Sequence, residues 1–233
     1  MTTHDTDKTA VVDAYAVDHL LVDERLKASL DFAVAESAAA GLPDIRVSAM
    51  HGMQLMLLVR ALGARNVLEI GTLGGYSTIC LAAGLAGEGR ILTLEVMAKH
   101  AAVARRNIEH AGYADRVEVR EGDALASLEA MLDSGERGAS GQAPFDFVFI
   151  DADKARIPEY LDASVRLSRP GGMIIVDNTV RDGRIVDAET NDESVQGVRR
   201  MYEMLKTDRR VMATAIQTVG AKGWDGYTMV VVV

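Results

Sequence analysis

The stretch NVLEIGTLGGYSTICLAAGLAGEGRILTLEV, residues 66 to 96, decides the fold class of this chain. It begins as a short apolar strand pattern, turns through the glycine-rich segment GTLGG and continues as an apolar helix from Tyr76. A second strand pattern, RILTLEV, then ends the stretch. A strand, a helix and a strand at this spacing predict neighbouring strands of a parallel sheet. The glycines permit a tight turn and a close approach of the backbone to a ligand.

The same alternation continues to the C-terminal end of the sequence. Strands are predicted over 66–70, 90–96, 116–122, 145–151 and 171–178, and helices over 76–86, 98–112, 124–133, 155–168 and 193–208. Two β-rich runs, 211–219 and 227–233, predict a terminal hairpin, and the polar, glycine-rich segment 133–144 predicts a connector. We therefore expect an α/β fold with a seven-stranded, mostly parallel, doubly wound sheet and antiparallel pairing at one edge.

The residues before this alternation predict helices. Apolar positions recur at three- and four-residue intervals through the first forty residues, and this long helix is expected to stop at Gly41 and Pro43. A second helix is expected after Ser48, over residues 49–63. Without an internal repeat or a second hydrophobic unit, the chain reads as one domain, with a helical cap over 1–62 and a core over 65–233.

Composition narrows the class of protein. The 233 residues are 48% hydrophobic and carry a formal charge of −9, which disfavours broad electrostatic binding to nucleic acid. No apolar run reaches the roughly 18 residues of a membrane span. The polar, acidic N-terminus does not resemble a signal or transit peptide, so we expect a cytoplasmic protein. The single cysteine, Cys80, lies in an apolar helical run and is expected to be a buried structural thiol.

The predicted strands end in residues that suit a binding site. Open α/β sheets bind ligands outside the carboxyl ends of their strands, where the strand order reverses. These ends carry Glu69 with GTLGG, Glu95, the GDA turn at 122–124, Asp151, and Asp177 with Asn178. Helix capping explains one such end, but five together predict a site.

The first two strand ends favour an adenosine-type cofactor. The turn GTLGG lacks the G-x-G-x-x-G pattern of dinucleotide-binding proteins, but Glu95, 24 positions after Gly71, can accept hydrogen bonds from ribose hydroxyls. Glu69 would repel a pyrophosphate and suit an amino group. S-adenosylmethionine is therefore favoured over NAD.

The last two strand ends favour a divalent cation. Asp151, Asp177 and Asn178 offer oxygen ligands of the kind that Mg²⁺ prefers. Zinc is disfavoured because the five histidines are scattered, and each is expected to be a surface or packing residue. An Asx turn that closes the strand is the alternative explanation for VDN.

Five segments, taken in order, resemble the motifs of the cation-dependent S-adenosylmethionine O-methyltransferases, which include catechol and caffeoyl-CoA O-methyltransferases. These segments are VLEIGTLGGYST, LTLEV, GDAL, FDFVFIDADK and GGMIIVDNTVRDG. The resemblance covers roughly residues 45–233 and implies a Rossmann-like class I methyltransferase fold. It implies cofactor contacts from Val47, Glu69, Gly71, Thr72, Ser77, Glu95, Asp123, Ala124 and Asp151. It also implies a cation on Asp151, Asp177 and Asn178, with magnesium expected first and manganese or calcium as alternatives.

The reaction that the resemblance implies is methyl transfer to one hydroxyl of a small catechol-like phenol. The cation would bind the vicinal oxygens, with Asp151 and Lys154 as the catalytic residues and Lys154 removing the proton. Asp153 is assigned to capping. TVRDGRIVD replaces the aliphatic–tryptophan pair of many phenylpropanoid-type members, so Arg181 and Arg184 either meet an anionic substrate or are ordinary loop charges. Candidates for an aromatic wall are Tyr15, Tyr202, Trp224 and Tyr227.

Other readings stay open at this point. Some bacterial relatives methylate hydroxyuridine in tRNA, and the pairs Arg105–Arg106, Arg199–Arg200 and Arg209–Arg210 are potential basic patches, although the net charge argues against nucleic acid. A module that merely reuses the fold, without catalysis or with NAD, is the third reading. The N-terminal helix resembles an element that caps the site or forms a homodimer in relatives, and no membrane partner is expected.

Overall fold

The computed structural model describes residues 3–135, 138–139 and 143–233, with side chains from residue 8 onward. The helices are α1 Thr3–Leu20, α2 Glu24–Ala39, α3 Ala49–Ala61, α4 Tyr76–Gly84, α5 Ala98–His110, α6 Ala124–Ser134, α7 Ile157–Leu167 and α8 Glu193–Thr207. The strands are β1 Asn66–Ile70, β2 Arg90–Glu95, β3 Val117–Glu121, β4 Phe145–Ile150, β5 Ser168–Asp177, β6 Val211–Gly220 and β7 Gly223–Val232. Single 3₁₀ turns lie at Lys154–Arg156 and Arg184–Val186.

These strands form one seven-stranded sheet in the order β3-β2-β1-β4-β5-β7-β6. Strands β1 to β5 run parallel, and β7 pairs antiparallel with both β5 and β6. The predicted fold class, including the C-terminal hairpin, is confirmed. The strand order reverses at β1, so the crevice between the carboxyl ends of β1 and β4 is the expected ligand site.

Two hydrophobic cores cover the two faces of the sheet. Because side chains alternate along a strand, Phe147 and Phe149 of β4 point to one face while Val148 and Ile150 point to the other. The first core includes buried side chains of α2, α3, α4 and α5, and the second includes those of α6, α7 and α8. Burial on both faces explains why the parallel strands read as continuous apolar runs.

The prediction of one long N-terminal helix is wrong, because the chain forms two helices that are separated at residues 21–23. The carboxylate of Asp23 accepts hydrogen bonds from the backbone N–H groups of Arg25 and Leu26, both at 3.0 Å, and so caps α2. An N-cap residue has extended rather than helical dihedral angles, which breaks the helix while the apolar spacing continues through it. Periodicity alone could not reveal this break.

The remaining fold predictions have mixed outcomes. Ser48 caps α3 as expected, accepting a hydrogen bond from the backbone of His51 at 3.2 Å. Cys80 is buried, and burial raises the pKa of its thiol to about 12, as expected of a structural cysteine. The connector begins later than predicted because α6 extends to Ser134. Connector residues 136–137 and 140–142 lie outside the described residues.

The boundary between a helical cap and a core stays a prediction, since α2 and α3 share the first core with the sheet. Among the described helices, none is long and apolar enough to cross a membrane.

Candidate active site

A cavity of about 1100 Å³ opens at the carboxyl ends of the parallel strands. It brings together every predicted site residue except Glu69, whose carboxyl lies just behind it. The predicted residues that line it are Val47, Gly71, Thr72, Ser77, Glu95, Asp123, Ala124, Asp151, Lys154, Asp177 and Asn178. The predicted cofactor and metal halves of the site therefore face a single space.

The glycine-rich turn after β1 packs directly on the end of β4. Gly71 has a φ of 98°, and a Cβ atom at this position would lie 2.0 Å from the backbone oxygen of Asp151. The backbone N–H of Asp151 in turn donates to the oxygen of Ile70 at 2.8 Å. Only glycine combines this dihedral angle with so close an approach, so the turn and Asp151 hold each other in place.

Glu95, at the end of β2, is held by backbone donors. Its Oε2 accepts hydrogen bonds from the N–H groups of Thr72 at 3.2 Å and Leu73 at 2.8 Å, and its Oε1 accepts from Met97 at 2.8 Å. The side chain is 6% exposed and borders the cavity. Since a carboxylate has about four acceptor sites, one or more stay available for a ligand hydroxyl.

Glu69 is fully buried and does not line the cavity. Its carboxyl accepts hydrogen bonds from the hydroxyls of Ser77 and Thr93, each at 2.6 Å, and from that of Thr78. Burial raises the pKa of Glu69 to about 7, although the three hydroxyl donors act in the opposite direction. In this structure Ser77 stands between Glu69 and the cavity, so direct contact between Glu69 and a cofactor stays a prediction.

At the adenine side predicted from the sequence, Asp123 has a double structural role. Its Oδ1 accepts from the N–H of Ala126 at 2.9 Å and caps α6, and its Oδ2 pairs with Arg156 at 2.6 Å. The hydrogen bond from Arg156 is the main reason that the pKa of Asp123 lies below its usual value. Arg156, which the sequence did not single out, therefore fixes one wall of the cavity.

The chemical half of the site centres on Lys154. Its Nζ donates to Oδ1 of Asp151 and to the backbone oxygen of Asp177, both at 2.5 Å. The amide of Asn178 donates to Oδ2 of Asp177 at 3.3 Å. Asp177 is 5% exposed, and burial, followed by the nearby charge of Asp151, raises the pKa of its carboxyl well above the ordinary value.

Asp153 takes no part in this cluster. Its Oδ1 accepts a hydrogen bond from the backbone N–H of Ala155 at 3.1 Å and caps the 3₁₀ turn that carries Lys154. The assignment of Asp153 to capping is confirmed.

The donor set of the cluster fits a hard divalent cation. Asp151, Asp177 and Asn178 present two carboxylates and an amide to the same cavity, and a dication there would favour the ionised form of the buried Asp177. Across the described ranges, no group of three His, Cys, Asp or Glu side chains is arranged to hold a metal. In the predicted ligand set, the Asn178 carboxamide would supply the third oxygen.

Two histidines, each expected to be a surface or packing residue, also line the cavity. Nδ1 of His51 lies 3.7 Å from Oδ2 of Asp177, and Nδ1 of His100 lies 3.6 Å from Oε1 of Glu95. Burial lowers the pKa of His51, whose ring stacks on Tyr227 with centroids 5.2 Å apart. A usable signal was present, since each histidine lies in the first turns of a helix that begins at the carboxyl edge of the sheet.

The expected aromatic wall is also different. Within the described part of the chain, the tyrosines that line the cavity are Tyr76 and Tyr160. Arg46 lies over the ring of Tyr76 at 5.6 Å and Arg156 over that of Tyr160 at 5.8 Å. The four aromatic residues proposed from the sequence do not line it: Tyr15, Tyr202, Trp224 and Tyr227.

The O-methyltransferase family model matches residues 18–231. A catechol O-methyltransferase of Mycobacterium tuberculosis (strain ATCC 25618 / H37Rv) is 48% identical over 95% of this chain and 94% of its own length. Among solved structures, an O-methyltransferase from Bacillus cereus in complex with SAH is 50% identical, with a TM-score of 0.92 over 98% of this chain and 100% of the other. An O-methyltransferase from Streptomyces achromogenes involved in tomaymycin synthesis, in complex with SAM, is 44% identical, with a TM-score of 0.89 over 100% and 99%.

Proposed function

Because the chain belongs to the O-methyltransferase family and is an S-adenosylmethionine-dependent O-methyltransferase, we propose that it methylates one hydroxyl of a catechol-like aromatic with the help of a divalent cation. The observation that carries this proposal is the shared cavity. Gly71 and Glu95 face the same space as Asp151, Lys154 and Asp177, so a methyl donor and a chelated diol can meet there.

On this proposal, the cofactor lies along the ends of β1 and β2. The turn that starts at Gly71 supplies close backbone approach, and Glu95, oriented by three N–H donors, accepts from the ribose hydroxyls. Val47, Thr72, Ser77 and the Asp123–Ala124 turn complete the cofactor wall. S-adenosylmethionine supplies an electrophilic methyl group, and the protein contributes the position of that group relative to the acceptor.

The acceptor half consists of the ends of β4 and β5. Asp151, Asp177 and Asn178 would hold the cation, with Mg²⁺ proposed first because all three are oxygen ligands. When bound, the cation would hold the vicinal oxygens of the substrate and lower the pKa of the hydroxyl to be methylated. Lys154 is fixed by Asp151 and by the backbone of Asp177, so its Nζ lies among the proposed ligands. From there, the uncharged amine of Lys154 can accept the proton of the substrate hydroxyl that is to be methylated.

The direct test is transfer of labelled methyl to catechol, caffeate and tRNA, with Mg²⁺ and with a chelator. We expect transfer to the two diols that requires the cation. Lys154→Met should lower kcat by at least about 100-fold, as expected for loss of a general base, while Lys206→Met, an exposed lysine of α8, serves as the matched control. Transfer that is unaffected by the chelator, or absent from every diol, would overturn the proposal.

The tRNA alternative has less support from the structure. Five of the six arginines that suggested basic patches are engaged with neighbouring groups, and the three that pair with carboxylates offer less free positive charge to a phosphate backbone. Arg105 lies 3.8 Å from Glu121, and Arg106 lies 3.9 Å from Glu36. Arg199 donates to the backbone oxygen of Ile185, and Arg200 donates to that of Ala155. Arg210 pairs with Asp162 at 2.7 Å. Methyl transfer to hydroxyuridine-containing tRNA in the same assay would favour this alternative.

We also propose that the protein is a cytoplasmic homodimer. Helix α1 exposes large apolar side chains, Val11, Val12, Tyr15 and Leu20, each more than 60% accessible. Burial of such side chains against a second copy would remove apolar surface from water. Light scattering at increasing protein concentration should give twice the mass of 25.0 kDa, and a monomeric mass at all concentrations would contradict the proposal.

A further inference from the structure

Beyond the diol itself, we propose that the substrate carries a carboxylate on its aromatic ring and that Arg181 binds it. This inference rests on the proposed function, since it specifies the acceptor of the same site. Arg181 follows the predicted metal ligand Asn178 by three residues and lines the cavity on the acceptor side.

The first support is the balance of charge around the cavity. Four of the basic side chains that line it pair with nearby carboxylates: Arg46 and Lys222 share Asp44, Lys154 pairs with Asp151, and Arg156 pairs with Asp123. Arg181 has no carboxylate side chain within ion-pair distance among the residues that the structure describes. A carboxylate brought by the substrate would supply the missing partner.

The second support is the unsatisfied donor of Arg181. Its Nε atom is buried and finds no hydrogen-bond partner among the described residues. A buried donor without a partner loses its hydration, a cost that a reorientation of the Arg181 side chain toward a ligand oxygen would remove. The side chain is half-buried, so its guanidinium can be reached from the cavity while part of it is shielded from water. In such a setting a charge-assisted hydrogen bond is strong.

The backbone holds Arg181 at a defined place. Oδ1 of Asp225 accepts hydrogen bonds from the N–H groups of Val180 and Arg181, both at 3.0 Å, which ties the loop to β7. Arg181 has a φ of 56°, a left-handed conformation that the turn after β5 requires. Arg181 lines the same cavity as Asp177 and Asn178, at the end of the site where the diol is expected.

Arg184 has the other role that the sequence allowed for these two arginines, that of an ordinary loop charge. Its Nη1 pairs with Asp192 at 2.7 Å, its Nε donates to the backbone oxygen of Arg181 at 3.2 Å, and it does not line the cavity. The sequence could not distinguish the two arginines, but the structure gives them different environments. Arg184 fastens the loop to the start of α8, and Arg181 faces the ligand space.

The test compares a substrate that carries a carboxylate with an uncharged analogue of the same diol: 3,4-dihydroxybenzoate and its methyl ester. We expect kcat/KM of the wild type to favour the acid by at least about tenfold, as one charge-assisted hydrogen bond would provide. In Arg181→Gln the ratio of acid to ester should fall to about one, and in Arg181→Lys it should be intermediate because the planar fork is lost. Arg209→Gln, an exposed arginine that does not line the cavity, is the matched control and should keep the wild-type ratio. Arg181→Asn, which tolerates the positive φ, serves as a second variant if Gln disturbs folding.

Each outcome separates this inference from the proposed function. If the wild type methylates neither compound, the proposed function itself fails. If both compounds are methylated but the ratio is the same in the wild type and Arg181→Gln, only the role of Arg181 is overturned. Calorimetry with Mg²⁺ alone completes the test. Weaker cation binding in Arg181→Gln, with equal losses for acid and ester, would mean that Arg181 serves the cation site and not the substrate.

Discussion

Replacement of Glu69 by Gln tests whether this buried carboxyl makes folding and cofactor binding depend on pH. Burial raises the pKa of Glu69 from 4.5 to about 7 in the folded protein. Between these values the folded protein keeps a proton that the unfolded chain has already released. The stability that Glu69 contributes is therefore fully present below pH 4.5 and is lost as the pH rises through 7.

The two pKa values set the size of this effect. One pH unit corresponds to about 1.4 kcal/mol, so the free energy of unfolding loses about 3 kcal/mol from this group between pH 4.5 and 7. Glu69→Gln is uncharged at every pH and should not show this loss. Wild type and variant are compared by urea unfolding from pH 4.5 to 8, with Glu129→Gln on the exposed surface of α6 as the control. Parallel curves for wild type and Glu69→Gln would refute the assignment of a raised pKa.

The same carboxyl should influence cofactor affinity. S-adenosylmethionine carries positive charge on its sulfonium and amino groups, which favours an ionised Glu69 behind Ser77. At pH 6 only about one tenth of Glu69 is ionised in the free protein, so the wild type should bind about tenfold more weakly than at pH 8. Calorimetry should show this dependence in the wild type and a flatter profile in Glu69→Gln. An identical pH dependence in both proteins would exclude Glu69 as its source.

Two further substitutions test which residues serve the cation and which serve the cofactor, and a third tests the packing of the glycine-rich turn. Asp177→Ala should weaken Mg²⁺ binding by more than about 100-fold, beyond the effect expected of a residue outside the ligand set, and abolish turnover, with cofactor affinity by calorimetry nearly unchanged. Glu95→Ala leaves three backbone donors without their acceptor and should weaken cofactor binding by at least about tenfold before it affects the cation. Similar losses of cofactor affinity in both variants would contradict this division. Gly71→Ala should destabilise the protein by more than about 2 kcal/mol in urea unfolding, because its Cβ would overlap the oxygen of Asp151; an unchanged midpoint would contradict the close packing described for this turn.

Much of the fold was predictable because its determinants are local. The alternation of apolar strands and amphipathic helices needs only neighbouring residues, and the carboxyl ends of parallel strands must share one edge of the sheet. The shared position of Asp151 and Asp177 therefore followed from the sequence. The break before α2 did not, because Asp23 caps a helix without interrupting the apolar period.

Other properties of the site depend on residues that are distant in the chain. Ser77, Thr78 and Thr93 jointly enclose Glu69, and the apolar strand around Glu69 does not reveal these three hydroxyl partners. His51 meets Asp177 only because α3 lies across the carboxyl edge of the sheet. Whether Arg181 is paired was likewise decided by where other carboxylates lie, which is a property of the tertiary structure.

The packing of Gly71 against Asp151 has a consequence for engineering and for the evolution of new acceptors. The turn that serves the methyl donor and the strand end that serves the acceptor share a contact with no room for an added methyl group. The two halves therefore cannot be exchanged as independent modules, since a graft with a side chain at position 71 would displace Asp151. Arg181 and the hairpin tip at 218–223 line the cavity away from this junction. Libraries confined to these positions should change acceptor choice while preserving use of the methyl donor.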